Sequence, residues 1–175
     1  MRITTGKYKN RNIAMPAGIR PTQGLVRKAV FDIVGNVQGL FFLDLFAGSG
    51  AVGIEAASRG AEEVVLVENN PAVIRALKEN ASCMLDTKYL VLPVDAGEAI
   101  KRFFKDGRRF DIVFLDPPYC RDMLKKTLQT IDAYDILTPI GLAIVQHSRR
   151  ETLPENLGVL SLLRQKKYAD TFLSI

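Results

Sequence analysis

The sequence predicts an α/β fold: a mostly parallel sheet covered by helices on both faces. Three observations carry this. Short apolar runs alternate with stretches of helical period along most of the chain, the pattern of consecutive βαβ units. The runs are apolar throughout rather than alternating, as strands buried on both faces require. Residues able to bind or react (Asp44, Glu68, Asp95, Asp116) stand at or just beyond the ends of those runs, and ligands on such sheets bind at the carboxyl ends of the strands.

The elements follow in order. Arg2 to Thr5 and Asn12 to Met15 flank Gly6 to Arg11 and read as a small hairpin or extended arm. Arg20 precedes a proline and should be extended. Thr22 can then cap a helix whose apolar face is Leu25, Ala29, Val30 and Ile33. Leu40 to Phe46 reads as the first buried strand. Ala51 to Ser58 is helical and ends at Arg59-Gly60, with glycine just past the terminus. Val64 to Val67 is the second strand. Asn70 is an N-cap with Pro71 at the first helical position, and that helix should run to about Leu85. Tyr89 to Val94, a helix over Gly97 to Phe104, and a strand over Phe110 to Leu115 come next, the strand stopped by Pro117-Pro118. A helix over Met123 to Ile131 and a strand over Leu142 to Gln146 follow. The tail, Gly158 to Leu163 and Tyr168 to Ile175, reads as a closing hairpin around Gln165-Lys166-Lys167. Seven strands result. The chain divides into a basic arm and helix over residues 1–38 and a catalytic core over 39–175, together one domain.

The 175 residues are enough to bury a core without disulfides or a structural metal, and 47% apolar with 25% charged residues is the balance of a water-soluble globular chain. No apolar run is long enough to span a bilayer, and the basic start, Met1 to Pro16, lacks the apolar stretch of a secretory signal. A cytoplasmic protein without membrane association is expected, and a monomer suffices. Cys83 and Cys120 lack metal-site spacing and read as reduced thiols. The lone His147 has no partners for a metal and reads as a polar residue at a strand end. No metal is expected. The net charge of +5 points to an anionic partner, and its distribution says more. Arg2, Lys7, Lys9, Arg11, Arg20, Arg27 and Lys28 all precede the first acid, Asp32. Such a segment is either a solvated arm or a nucleic-acid contact.

Two constellations carry chemistry. The first is Asp44-Leu45-Phe46-Ala47-Gly48-Ser49-Gly50, followed by Gly53. Its glycines let the backbone turn tightly and approach a ligand, and the helix that follows offers N–H groups. Gly48-x-Gly50-x-x-Gly53 also satisfies the dinucleotide pattern. Glu68, after the second strand, can accept from both ribose hydroxyls, a geometry common to NAD and S-adenosylmethionine (SAM). Asp44 at the strand end favours SAM, because a carboxylate there can face the ammonium and sulfonium. Asp95 can accept from an adenine amino group, although it can equally cap a helix.

The second constellation is Asp116-Pro117-Pro118-Tyr119. An exocyclic base amine is a poor nucleophile because its lone pair is delocalised into the ring. Acceptors around its N–H groups orient that lone pair toward a methyl group. Asp116 can supply one, and the Pro117 carbonyl another, since proline keeps its C=O and fixes the backbone. Tyr119 offers a face on which a base can stack. A dehydrogenase has no use for this element.

With these residues in view, the chain resembles the bacterial enzymes that methylate a guanine at N2 in 16S ribosomal RNA, members of the Rossmann-like class I SAM-dependent methyltransferases. The resemblance runs through Met1-Arg2-Ile3, Gly6 to Lys9 and Arg11, Arg20-Pro21-Thr22, Val26-Arg27, Leu43 to Gly50, Gly53 to Ala56, Ser58 to Ala61, Val67-Glu68, Phe110 to Tyr119 and Tyr168 to Thr171. It implies that SAM is held by Asp44, Phe46, Ala47, Gly48, Ser49, Gly50, Glu68, Asn69, Asp95, Ala96 and Asp116. It implies base contact by Asp116 to Tyr119. It also implies that Arg2, Lys7, Lys9, Arg11, Arg20, Thr22 and Arg27 meet ribosomal RNA or the small ribosomal subunit. The chain departs from the family pattern at Asn10, Lys28 and Ala169, and at Gln146, a strand-end position where the family commonly has an acid. Other readings are an adenine-N6 or cytosine-N4 DNA methyltransferase, an NAD-dependent oxidoreductase, and a catalytically silent RNA-binding domain.

Overall fold

The structure is a computed structural model that describes residues 1–16, 24–118, 122–154, 157–168 and 170–175. Seven strands form one sheet in the order β3-β2-β1-β4-β5-β7-β6. They are β1 Phe41–Asp44, β2 Glu63–Val67, β3 Lys88–Leu92, β4 Phe110–Leu115, β5 Leu137–Ser148, β6 Gln165–Tyr168 and β7 Thr171–Ser174. The first five are parallel, while β7 runs antiparallel to both β5 and β6. The chain winds outward from β1 to β3, then crosses back to β4, so the strand order switches between β1 and β4. That crevice is where ligands bind on sheets of this kind.

The helices are α1 Gly24–Val34, α2 Ala51–Ser58, α3 Pro71–Ala81, α4 Ala96–Lys105 and α5 Met123–Tyr134. Successive strand residues point to opposite faces, and the core divides accordingly. On one face Phe42, Val64, Leu66, Ile112, Phe114 and Ile144 pack with residues of α1, α2 and α3. On the other, Leu43, Val65, Val67, Val113, Leu115 and Val145 pack with α4 and α5. The sheet is therefore covered on both sides, as the uniformly apolar runs predict.

Local chemistry explains the boundaries. Asn70 accepts from the Ala72 N–H at 3.0 Å with Pro71 beside it, so α3 starts where predicted, but it stops at Ala81 rather than near Leu85. Gly60 has φ +97°, the left-handed conformation that ends α2 and favours glycine. Gly53 serves packing: a Cβ there would overlap the Leu66 side chain. Strand β5 begins five residues earlier than the apolar run suggests, at Leu137, with an irregularity in its pairing to β4 between Phe110 and Ile112.

The tail departs from expectation. Gln165-Lys166-Lys167, read as a turn, is strand β6, and the chain reverses between Tyr168 and Thr171. Residues 158–163 form no strand. Strand β6 lies at the sheet edge, where lysines discourage pairing with another chain, so its polarity mimicked a turn. Residues 158–160 are held instead by Asp132, which accepts their three backbone N–H groups at 2.8–3.0 Å.

The arm has one β-bridge, Arg2 to Asn12, in place of a regular hairpin. Ile3, Tyr8 and Ile13 nevertheless lie in the core beside α1 and α2. Gly6 (φ +81°) and Asn10 (φ +70°) make the reversals, so Asn10 occupies a conformation suited to glycine. A Cβ on Gly6 would overlap the Ser58 carbonyl. The Lys7 and Tyr8 N–H groups bond to Ser58 O and Oγ at 2.8 and 2.9 Å. No helix among the described residues is long and apolar enough to cross a membrane.

Candidate cofactor and base site

Strand β1 delivers Asp44 to the switch point, and the glycine loop carries the chain over to α2. Gly48 and Gly50 have φ +53° and +80°. The Ala47 N–H bonds to Val67 O at 2.9 Å, which ties the loop to β2. Glu68 follows β2, accepting from Gly48 N–H at 2.9 Å and Asn70 N–H at 2.8 Å. These bonds fix its carboxylate against the loop, and a carboxylate's two oxygens keep further acceptor sites for hydroxyl groups. Phe46, Glu68, Asn69 and Ala96, all expected at the cofactor, line one shallow crevice with Leu45 and Val94. Apolar walls beside one carboxylate suit a nucleoside whose ribose meets Glu68. Ser49 and Gly50 are buried in the loop, outside that lining. Asp95 is exposed and caps α4 through Gly97 N–H at 2.8 Å, so its capping role is realised.

Asp44 is the chemical centre of this crevice. It is 1% exposed. Among the described residues no basic side chain forms an ion pair with it; its acceptor bond from Phe46 N–H is long, at 3.4 Å. Burial pushes its carboxyl up to about 8, and the charges of Asp116 and Glu68 push the same way. Three carboxylates thus converge on the β1–β4 switch point. That donor set fits a ligand with a ribose and positive charge, as SAM has.

Asp116, half-buried, and Pro117, buried, stand immediately after β4; Pro118 is exposed. Tyr119, expected as the stacking face, lies outside the described residues, as do Arg20, Thr22, Ala169 and Cys120. Of the expected RNA contacts, Arg2, Lys7, Lys9 and Arg11 are exposed on the arm.

Arg27 is a correction. It is 2% exposed, pairs with Glu55 at 3.7 Å, and donates to the Arg2 carbonyl at 2.6 Å. It lies on the inward face of α1, where it answers a buried acid, and is removed from any surface that could meet RNA. His147 is likewise internal. Its ring stacks on Phe172, its Nε2 lies 2.9 Å from Ser174 Oγ, and burial lowers its pKa.

Leu45 and Val94 are wall residues that sequence reasoning left out, since nothing distinguishes them from other strand-end aliphatics. Asn80 is a support also left out. Its side chain bonds to Ser49 O and to both backbone groups of Ala14, each at 2.9 Å. An asparagine on the apolar side of a helix was the available signal.

A family model described as conserved hypothetical protein 95 matches residues 1–175. The Bacillus subtilis protein YlbH, named as a candidate rRNA methyltransferase, is 37% identical over 100% of this chain and 97% of its own length. Ribosomal RNA small subunit methyltransferase D of Escherichia coli K12 is 32% identical over 95% of this chain and 84% of its own. Among solved structures, the T. thermophilus 16S rRNA N2 methyltransferase RsmC, in complex with AdoMet and guanosine, superposes with a TM-score of 0.69 at 26% identity. That match covers 90% of this chain and 43% of the other.

Proposed function

The chain belongs to the conserved hypothetical protein 95 family, and on that premise we propose that it transfers a methyl group from SAM to the exocyclic N2 amine of a guanine in 16S ribosomal RNA. The observation that carries this reading is the convergence of Asp44, Glu68 and Asp116 at the β1–β4 switch point, with Asp44 buried beside the two other acids. The relatives named for rRNA methylation support the substrate class, and the neighbour solved with AdoMet and guanosine supports the cofactor and the base.

SAM supplies, when bound, a methyl group already activated by its sulfonium. The chain's own residues then bind and orient. Glu68 holds the ribose hydroxyls, Asp44 faces positive charge, and Phe46, Asn69, Val94 and Ala96 enclose the nucleoside. Asp116 and the Pro117 carbonyl accept from the guanine amine and aim its lone pair; Asp116 is placed to take the proton that the methylated amine sheds. Tyr119 is assigned the stacking face. Positioning of this kind is worth on the order of 7–11 kcal/mol in favourable cases. Arg2, Lys7, Lys9 and Arg11 meet phosphates, and Arg20 and Thr22 keep the same assignment from the sequence.

The test is transfer of labelled methyl from SAM to small ribosomal subunits from a strain lacking the modification, followed by nucleoside analysis. N2-methylguanosine is the expected product. A methylated adenine or cytosine in DNA, with nothing on the subunits, would overturn the reading.

A further inference from the structure

Strand β5 places one more polar group beside the proposed base site. Gln146 is 6% exposed, and its Oε1 is buried without a hydrogen-bond partner among the described residues. Buried polar atoms are nearly always paired, so an orphan asks for an explanation such as a missing ligand. Its position suggests which ligand. Leu115 of β4 is register partner to Val145 of β5, so Asp116 and Gln146 are the next residues on adjacent strands. Phe42, Phe114 and Ile144 all lie on the α1–α3 face of the sheet. By alternation Asp44, Asp116 and Gln146 continue that face, Asp44 at the end of β1, Asp116 just past β4 and Gln146 two residues before the end of β5. Asp116 and Gln146 are level on neighbouring chains, whereas Asp44 of β1 is in register with Phe114, two residues further back.

We propose that Gln146 is a base-specificity residue whose Oε1 accepts the N1–H of the target guanine while Asp116 holds its N2 amine. The proposal rests on the guanine-N2 reading above. Guanine alone presents a ring N–H donor next to its exocyclic amine; adenine and cytosine present a ring nitrogen acceptor there. An acceptor one strand away from Asp116 therefore matches guanine and opposes the other two bases. A site built to satisfy a donor rejects bases lacking it, because its own polar atom is then left unpaired.

The test compares wild type, Gln146→Leu and Gln146→Glu in methyl transfer to unmodified small ribosomal subunits, with SAM affinity by calorimetry and thermal melting. Leucine removes the unpaired oxygen, so the variant should melt no lower than wild type and bind SAM within about two-fold. Its kcat/KM should fall about ten- to hundred-fold, the cost of leaving the guanine N1–H buried without an acceptor. Glutamate retains an acceptor and cannot donate, so it should recover most of that loss. Gln146→Leu working at the wild-type rate would overturn the proposal. So would Gln146→Glu being as impaired as the leucine variant while binding SAM normally. Absence of N2-methylguanosine from the wild-type reaction would instead overturn the functional reading itself, before either variant is compared.

Discussion

Glu55 and Asp44 are both buried carboxylates on the same side of the sheet, 0% and 1% exposed, yet their surroundings are opposite. Glu55 is surrounded by partners. Thr4 donates twice, from N–H at 2.8 Å and Oγ1 at 2.7 Å; Arg59 lies at 3.1 Å and Arg27 at 3.7 Å. Asp44 has two acids as charged neighbours and no paired cation among the described residues. One carboxylate completes the fold by fastening the arm to α2. The other, buried beside two acids, holds its proton up to about pH 8, and a cationic ligand would favour its ionised form. A buried acid alone is thus no sign of function; the sign is a buried acid whose charge the chain does not answer.

The largest expected effect tests the structural half of this contrast. Glu55→Ala strands Arg27 in the interior, and breaking a buried pair costs about 3–5 kcal/mol. Chemical denaturation should show that loss. Stability unchanged from wild type would mean that the arm is held by its apolar residues alone. Next comes Asp116→Ala, which should lower the methyl-transfer rate by about 10²–10³ in the manner of a lost oriented polar group. SAM affinity, read by calorimetry, should change far less. Normal turnover would remove Asp116 from the mechanism.

Asp44→Asn should do the reverse of Glu55→Ala. It should leave the SAM-free protein as stable or more so, while weakening SAM binding about ten- to hundred-fold. A pH series sharpens the point. The folded chain keeps the Asp44 proton up to about 8, whereas the ordinary value is 3.8. This group's contribution to stability is therefore full below about 3.8, declines as pH rises, and is gone above about 8. Positive charge on SAM favours the carboxylate, so SAM affinity should climb toward pH 8 and then level, and Asp44→Asn should flatten the climb. The smallest effect separates surface from interior cations. Replacing Lys7 or Lys9 by alanine should reduce the salt dependence of RNA binding by about 0.7 in log–log slope per residue, if each meets one phosphate. An unaltered slope in both variants would take the arm away from RNA.

Much of this was legible in the sequence, and the exceptions have physical causes. Strand β4 and the α2 and α3 starts are where apolar runs, Pro117, Gly60 and the Asn70-Pro71 pair mark them. Glu68 on the crevice wall was also legible, because strand ends in a parallel sheet meet at one place, while Phe46, Asn69 and Ala96 came with the family resemblance. Strand β6 was not, since an edge strand needs no apolar alternation. Arg27 was misread for a related reason: charge counted along a chain does not say which face of a helix carries it. Its partner Glu55 lies 28 residues further on in α2, a helix whose every residue is buried, and only the fold brings them together. Gln146 could be placed at a strand end, but an atom without a partner is visible only once its neighbours are.

Asn80 joins the arm to the glycine loop through a single side chain, gripping Ala14 with one hand and Ser49 with the other. A pull on the N-terminal segment would therefore reach the loop along a path that bypasses the sheet. In kinetic language, whatever occupies the loop should slow the peeling of the arm, and whatever clamps the arm from outside should steady the loop.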